Sequence, residues 1–145
     1  MLDQLQTVFA SFQRNDVKYL VIGGIAAVLY GVPRATFDLD ILIEPTKENA
    51  QKLLNALSEV GFGTAELTSA DEIIGTEITI FTDRVRLDVQ TSTPGILFED
   101  AWPRRTTLTY EGQSFDVVSL ADLIQSKTAA GRDIDLEDVR ILKSE

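Results

Sequence analysis

The sequence has 145 residues, of which 44% are hydrophobic and 25% charged, a balance typical of one globular domain spanning residues 1–145. It contains neither cysteine nor histidine, which excludes disulfides, thiolate or imidazole metal ligands and Ser-His nucleophiles. Its 13 basic and 23 acidic residues give a net charge of −10, which argues against a general nucleic-acid coat protein. Any catalysis must therefore depend on carboxylates, lysine, arginine or a carboxylate-bound metal.

The spacing of apolar residues predicts alternating helices and strands in the first part of the chain. Residues 2–14 have the spacing of an amphipathic helix, 17–22 form a short apolar strand, and 24–30 form a second helix. The next strand, 36–44, alternates along its length, and a helix capped by Thr46 follows it. This half of the chain therefore has the order α-β-α-β-α.

In the second half of the chain, the residue pattern predicts two β-hairpins followed by two C-terminal helices. Its elements are strands at 77–81 and 85–90, a short helix at 96–102, strands at 106–110 and 114–118, and helices at 119–130 and about 133–143. Ser119 followed by Asp122 predicts a capping box. The whole order predicts an α/β (α+β) fold with a mixed β-sheet flanked by helices.

The N-terminal segment gives no sign of a secretory signal, because it is amphipathic and carries the acidic Asp3 in place of a basic stretch. The longest uncharged run, 19–33, is too short to span a bilayer and is interrupted by glycine. We therefore expect a cytoplasmic protein with no membrane partner.

The pair Gly23-Gly24 lies between the predicted strand 17–22 and the helix that follows it. Glycine allows close approach to the backbone, and the N–H groups at the start of a helix can bind phosphate. The pair would equally suit a tight turn with no ligand. It matches neither the dinucleotide-binding glycine pattern nor the P-loop, so both interpretations stay open.

Asp38 and Asp40 alternate on one face of the predicted strand 36–44, roughly 7 Å apart at their Cα atoms. Leu42 continues this face, which is therefore not simply solvated, although a solvated face is the alternative. Like charges on a half-buried face favour a bound cation, and Mg²⁺ prefers carboxylates together with substrate phosphates. Asp88 would supply a third carboxylate if its strand were a neighbour.

Lys127 occupies a position at which the helical spacing predicts an apolar core residue. Either its stem packs while the amine reaches water, or the ammonium group binds phosphate in a cleft. Arg34 and Thr36 precede the aspartate pair and could face the same cleft, while Arg34 could equally form a salt bridge. Arg104-Arg105 beside Trp102 forms a compact basic–aromatic patch, or merely a solvated turn.

Gly23-Gly24, Asp38-Leu-Asp40 and the later Asp88 together resemble the signature of the nucleotidyltransferase superfamily that includes DNA polymerase beta. The tail at 118–138 is similar to that of minimal toxin–antitoxin-type nucleotidyltransferases, the AbiEii-like proteins. The resemblance extends over about residues 4–143. It implies the nucleotidyltransferase fold, whose mixed sheet resembles the polymerase beta palm.

The resemblance also implies an enzyme that transfers a nucleoside monophosphate from an NTP, such as ATP, to an acceptor hydroxyl and releases pyrophosphate. Two Mg²⁺ ions, which Mn²⁺ could replace, are expected on the catalytic residues Asp38, Asp40 and Asp88. The residues expected to contact the nucleotide are Gly23, Gly24, Arg34, Thr36 and Lys127.

The acceptor does not follow from the sequence, and a protein, an RNA end or a small molecule are all open. A partner chain or a homodimer is expected to complete so small a site. The alternative function is a non-catalytic, antitoxin-like protein that binds a cognate toxin. Arg132, Asp135 and Asp138 could act in catalysis or be structural.

Overall fold

The computed structural model describes residues 2–144. The strands are β1 Tyr19–Ile22, β2 Asp38–Ile43, β3 Ile78–Phe81, β4 Arg86–Gln90, β5 Thr106–Tyr110 and β6 Gln113–Val117. The α-helices are α1 Leu2–Arg14, α2 Gly23–Leu29, α3 Lys47–Glu59, α4 Ala70–Ile74, α5 Phe98–Ala101, α6 Leu120–Ala130 and α7 Asp133–Lys143. Two short 3₁₀ helices lie at Gly63–Leu67 and Trp102–Arg104.

The strands form one mixed sheet in the order β3-β4-β2-β1-β6-β5. Strand β2 runs parallel to β4 and antiparallel to β1, and the two hairpins β3–β4 and β5–β6 form the edges. In this register Asp40 lies beside Asp88 on β4 and beside Ile22 on β1. The predicted α/β fold with a mixed sheet is confirmed, and the third aspartate is on the strand next to the aspartate pair.

One face of the sheet belongs to the main hydrophobic core. Leu39, Ile41 and Ile43 of β2 are fully buried there. Phe9 of α1 stacks on Phe115 of β6 with ring centroids 4.6 Å apart. Burying an aliphatic side chain of this size stabilises a fold by about 1.5–3 kcal/mol, so this face holds β2 firmly. The opposite face of β2 presents Asp38 and Asp40.

Side-chain caps start two of the long helices. The Thr46 hydroxyl accepts a hydrogen bond from the Asn49 N–H at the start of α3, as predicted. The Ser119 hydroxyl likewise accepts from the Asp122 N–H, but the predicted capping box is only half formed. The Asp122 carboxylate is buried and accepts two hydrogen bonds from Arg104 instead, because a bidentate arginine pair is the stronger partner.

Two stretches differ from the sequence prediction. The chain between 61 and 77, where no element is predicted, contains the 3₁₀ turn at Gly63–Leu67 and helix α4, which Ser69 caps. The helix expected at 96–102 is shorter, since α5 covers Phe98–Ala101. It continues as a 3₁₀ turn through Pro103, which is tolerated because a proline in the first turn of a helix loses no internal hydrogen bond.

The Arg104-Arg105 patch is exposed to solvent, but its cations have partners within the chain. Arg104 pairs with Asp122, and the Arg105 guanidinium lies 3.8 Å from the centre of the Trp102 ring. Arg105 also pairs with Asp116. Both cations and the indole face are therefore occupied from within the chain. None of the helices within residues 2–144 has the length and apolar character needed to cross a bilayer.

Candidate active site

A cleft of about 540 Å³ opens on the face of the sheet that carries the aspartates. Its walls come from the junction of β1 and α2, from β2 with the segment before it, and from α6 and α7. The predicted site residues that line it are Gly23, Gly24, Arg34, Thr36, Asp38, Asp40 and Lys127. Asp88, the remaining one, lies directly behind Asp40 on the neighbouring strand.

Asp40 is the most perturbed carboxyl group of the site. Burial, followed by the charge and hydrogen bond of Asp88 and the charge of Asp38, raises the pKa of Asp40 to about 7. Opposing this, the positive charge of Arg86 lowers it. The three carboxylates thus form a cluster of negative charge that the chain does not fully neutralise, and such a cluster favours a bound cation.

Arg86 is a site residue that the sequence pattern does not reveal. It lies two residues before Asp88 on β4 and therefore shares its face. The Arg86 Nε lies 3.0 Å from the Asp88 Oδ1 and 3.7 Å from the Asp38 Oδ2. This guanidinium acts as the cation between two of the three aspartates.

The donor chemistry at this cluster suits Mg²⁺, since its ligands would all be carboxylate oxygens and the cluster carries excess negative charge. Within residues 2–144, however, no three acidic side chains converge closely enough to enclose a metal ion as they stand. Asp88 is directed to Arg86 instead. The residue types therefore fit Mg²⁺. To act as the third carboxylate ligand of the metal, the Asp88 side chain would have to turn away from Arg86.

Close packing accounts for the glycine pair. Gly23 has a φ of +69°, and a Cβ added there would collide with the Asp40 carboxylate. A Cβ on Gly24 would lie 2.9 Å from the Thr36 Oγ1. The pair therefore forms the tight strand–helix turn given as one interpretation, and it lets Asp40 lie directly against the backbone. Phosphate binding by the same glycines stays a prediction.

Gly23→Ala is expected to displace the Asp40 carboxylate and to lower the free energy of unfolding by roughly 2–4 kcal/mol, because left-handed strain and overpacking add. Gly131→Ala is the matched control. Gly131 has the same φ of +69°, but the nearest atom to an added Cβ is 3.7 Å away. It should lose only about 1–2 kcal/mol from strain. Urea unfolding measures both, and equal losses would show that contact with Asp40 does not require Gly23.

Lys127 pairs with buried carboxylates within the wall of the cleft that α6 and α7 form. It is 6% exposed, and its ammonium group lies 2.9 Å from the Asp138 Oδ2 and 3.7 Å from the Asp135 Oδ1. The option that its amine reaches water is therefore wrong. A buried charge must be paired, and α7 supplies both partners.

Two arginines complete this cluster on the cleft wall. Arg34 Nη2 donates to Asp138 at 2.8 Å, the salt bridge given as one of its two options, and Arg132 Nε donates to Asp135 at 2.7 Å. Burial alone would raise the pKa of Asp135 and of Asp138, but these hydrogen bonds and the charge of Lys127 hold both below the usual value. Three cations against two carboxylates leave an excess of positive charge on this wall.

The comparison with family models decides the family. The model described as "Nucleotidyltransferase of unknown function (DUF6036)" matches residues 2–143. The chain belongs to this nucleotidyltransferase family. A search among curated proteins finds no match.

Solved structures share the fold of this nucleotidyltransferase. A candidate nucleotidyltransferase of Thermotoga maritima is 20% identical, with a TM-score of 0.62, and the match covers 99% of this chain and 92% of that one. The lincomycin-bound lincosamide antibiotic adenylyltransferase LnuA is 18% identical, with a TM-score of 0.62 and coverages of 99% and 97%. An antigenic nucleotidyltransferase-like protein of Paracoccidioides brasiliensis is 18% identical, with a TM-score of 0.55 and coverages of 97% and 75%.

These likenesses bear on two of the sequence predictions. They confirm the polymerase beta-like fold, and with the family match they support the nucleotidyltransferase superfamily. At such low identity they carry no information about the substrate. Membership of the AbiEii-like, toxin–antitoxin-type subgroup stays a prediction.

Proposed function

We propose that the protein transfers a nucleoside monophosphate from an NTP to an acceptor hydroxyl and releases pyrophosphate. One observation carries this proposal. Asp38 and Asp40, backed by Asp88, share a cleft of about 540 Å³ with a wall of excess positive charge. The carboxylates suit divalent cations, and the basic wall suits the phosphates that accompany such cations.

Asp38, Asp40 and Asp88 would hold Mg²⁺ in this scheme. When bound, the metal would neutralise negative charge on the transferred phosphoryl group and on the leaving pyrophosphate. The shared face of β2 and β4 supports this assignment, because Asp40 and Asp88 are register partners.

The cleft wall would bind the triphosphate. Lys127 and Arg132 line the cleft while buried carboxylates hold them in place, so little rearrangement would be needed to contact a phosphate. The N–H groups of Gly23 and Gly24 would add hydrogen bonds from the opposite side. This arrangement would orient the α-phosphorus towards the aspartates.

The reaction balances without a histidine. The acceptor oxygen forms a bond to the α-phosphorus, the bond from that phosphorus to the bridging oxygen breaks, and pyrophosphate leaves with the electron pair. Asp88 would accept the hydroxyl proton, because it lies next to Asp40 on the neighbouring strand β4. A partner chain or homodimer that completes the site, and a cognate toxin as partner, stay predictions.

Labelled NTPs test this function. Each NTP, carrying ³²P on either the α- or the γ-phosphorus, is incubated with the protein, Mg²⁺ and separate RNA, protein and small-molecule fractions. We expect the α label to enter one fraction and the γ label to appear in pyrophosphate. Asp38→Asn should reduce incorporation by at least about 100-fold, while the exposed Asp100→Asn should leave it unchanged.

Entry of the γ label into an acceptor would indicate phosphoryl transfer and contradict the proposal. Incorporation of the α label that survives in Asp38→Asn would contradict the assignment of the carboxylate cluster.

A further inference from the structure

A second cleft, of about 570 Å³, adjoins the first at the N-terminal ends of β2 and β4. The two clefts share Arg34, Thr36 and Asp38. The second is also lined by Phe37, by Arg84 of the turn between β3 and β4, and by Arg86. A ligand in this second cleft would therefore lie next to the carboxylate cluster.

Phe37 is unusual for its position in the strand pattern. It precedes Leu39, Ile41 and Ile43 in the same alternation, and these three are at most 1% exposed. Phe37 is 84% exposed. A single exposed apolar side chain is ordinary, but this ring lines a charged cleft beside a candidate active site.

The arginines of this cleft are the second observation. Arg34, Arg84 and Arg86 are three of only 13 basic residues in a chain of net charge −10. Among residues 2–144, no carboxylate lies within ion-pair distance of Arg84. The ring of Phe37 differs in this respect from that of Trp102, because Arg105 already covers the face of the Trp102 ring.

We propose that this second cleft binds the acceptor, and that the acceptor is a nucleotide unit whose base stacks on Phe37 and whose phosphate binds Arg84 and Arg86. The inference rests on the proposed function. An open aromatic face beside unpaired positive charge is the combination that binds single-stranded nucleotides. An apolar small-molecule acceptor would leave the arginines unused.

The two clefts would then divide the substrates between them. The donor occupies the cleft with Lys127 and Arg132, and the acceptor occupies the cleft with Phe37 and Arg84. Arg86 contacts Asp88, so a phosphate held by Arg86 places the neighbouring ribose close to the carboxylates. The ribose hydroxyl oxygen bonds to the α-phosphorus, its proton passes to Asp88, and pyrophosphate leaves.

A free nucleotide and the end of a single-stranded RNA both offer this chemistry, and binding measurements distinguish them. The probe is a fluorescently labelled oligoribonucleotide of about six nucleotides, whose affinity for the full chain is measured by fluorescence anisotropy at several salt concentrations. Phe37→Ala should weaken binding by about tenfold or more, the usual effect of losing one stacked base. Arg84→Gln should weaken it and reduce the salt slope by about 0.7.

Matched surface variants control for non-specific effects. Leu67 is 82% exposed and lines neither cleft, so Leu67→Ala should bind the probe like the wild type. Arg140→Gln removes an exposed arginine of α7 and should also change nothing.

Unlabelled 5′-mononucleotide, added as competitor, identifies the source of the unit. If the mononucleotide displaces the labelled oligoribonucleotide when the two are present at a similar concentration of nucleotide units, the result supports a free nucleotide as acceptor. If the mononucleotide does not displace it, the result supports an RNA end. Equal binding of the labelled oligoribonucleotide by wild type, Phe37→Ala and Arg84→Gln would overturn the inference, as would the absence of binding by the wild type.

Stabilisation of the wild-type protein by Mg²⁺ and NTP is recorded on the same samples, so that the two proposals can fail separately. If NTP stabilises the protein but the labelled oligoribonucleotide does not bind, the acceptor inference fails and the proposed function stands. If NTP does not stabilise it, the acceptor inference falls together with the proposed function.

Discussion

Asp40→Asn is expected to stabilise the metal-free protein above pH 7 while it abolishes nucleotidyl transfer. Burial, and then Asp88 and Asp38, raise the pKa of Asp40 to about 7 in the folded state. In the unfolded state an aspartate has its ordinary pKa near 4. At about 1.4 kcal/mol per pKa unit, ionised Asp40 lowers the free energy of unfolding by roughly 2–4 kcal/mol.

The direction of the pH dependence follows from the raised pKa. Below about pH 4 the carboxyl group is protonated in both states, and its contribution to stability is fully present. As the pH rises towards 7 the unfolded state releases its proton first, so the wild-type protein loses stability. Asparagine does not titrate, so the advantage of the variant should grow from about pH 4 to pH 7 and then stay constant.

Urea unfolding in the presence of EDTA, at about pH 5 and about pH 8, measures this difference. Asp100→Asn removes an exposed carboxylate and should show no growing advantage. If the stability of Asp40→Asn relative to the wild type did not increase between these two pH values, the carboxylates would not repel one another in the fold, and the case for a cation site would fail.

Asp138→Ala is expected to cause the largest loss of stability, roughly 3–5 kcal/mol. Asp138 is 1% exposed and is the shared partner of Arg34 and Lys127. Its removal leaves the buried Lys127 with Asp135 alone, at 3.7 Å. For a domain of this length the melting temperature should fall by roughly 10 °C or more.

Glu137→Ala is the control on the same helix. Glu137 also forms an ion pair with an arginine, Arg140, but both side chains are more than half exposed. Exposed pairs contribute about 0–1 kcal/mol, so its melting temperature should fall by no more than roughly 4 °C. Equal losses in the two variants would show that the charge cluster on the cleft wall does not stabilise the fold.

The sequence predicts the order of elements well where one periodicity dominates. The alternation of β2 is read correctly because one face is fully buried, and the caps at Thr46 and Ser119 are local features. The stretch that contains α4 has no comparable pattern. Helix α4 is only five residues long, and contacts with the rest of the fold decide such short elements.

The site residues also divide into those that local spacing reveals and those that only the fold brings together. Motif spacing identifies Gly23-Gly24 and Asp38-Leu-Asp40 because they are close together in the chain. The partners of Lys127 lie on another helix, and Arg86 becomes part of the site only because β4 pairs with β2. The patch formed by Phe37 and Arg84 joins the segment before β2 to the β3–β4 turn. Spacing along one strand or helix cannot reveal contacts of this kind.

Thermal unfolding with each of the four NTPs, with and without Mg²⁺, tests the central claim that the carboxylate cleft binds a metal–nucleotide complex. At about 100-fold over Kd a ligand adds about 2.7 kcal/mol, which should raise the melting temperature of the wild type by roughly 5–10 °C. We expect this rise to require Mg²⁺ and to be absent in the double variant Asp38→Asn/Asp40→Asn. No rise with any NTP, or an equal rise in the double variant, would contradict the claim.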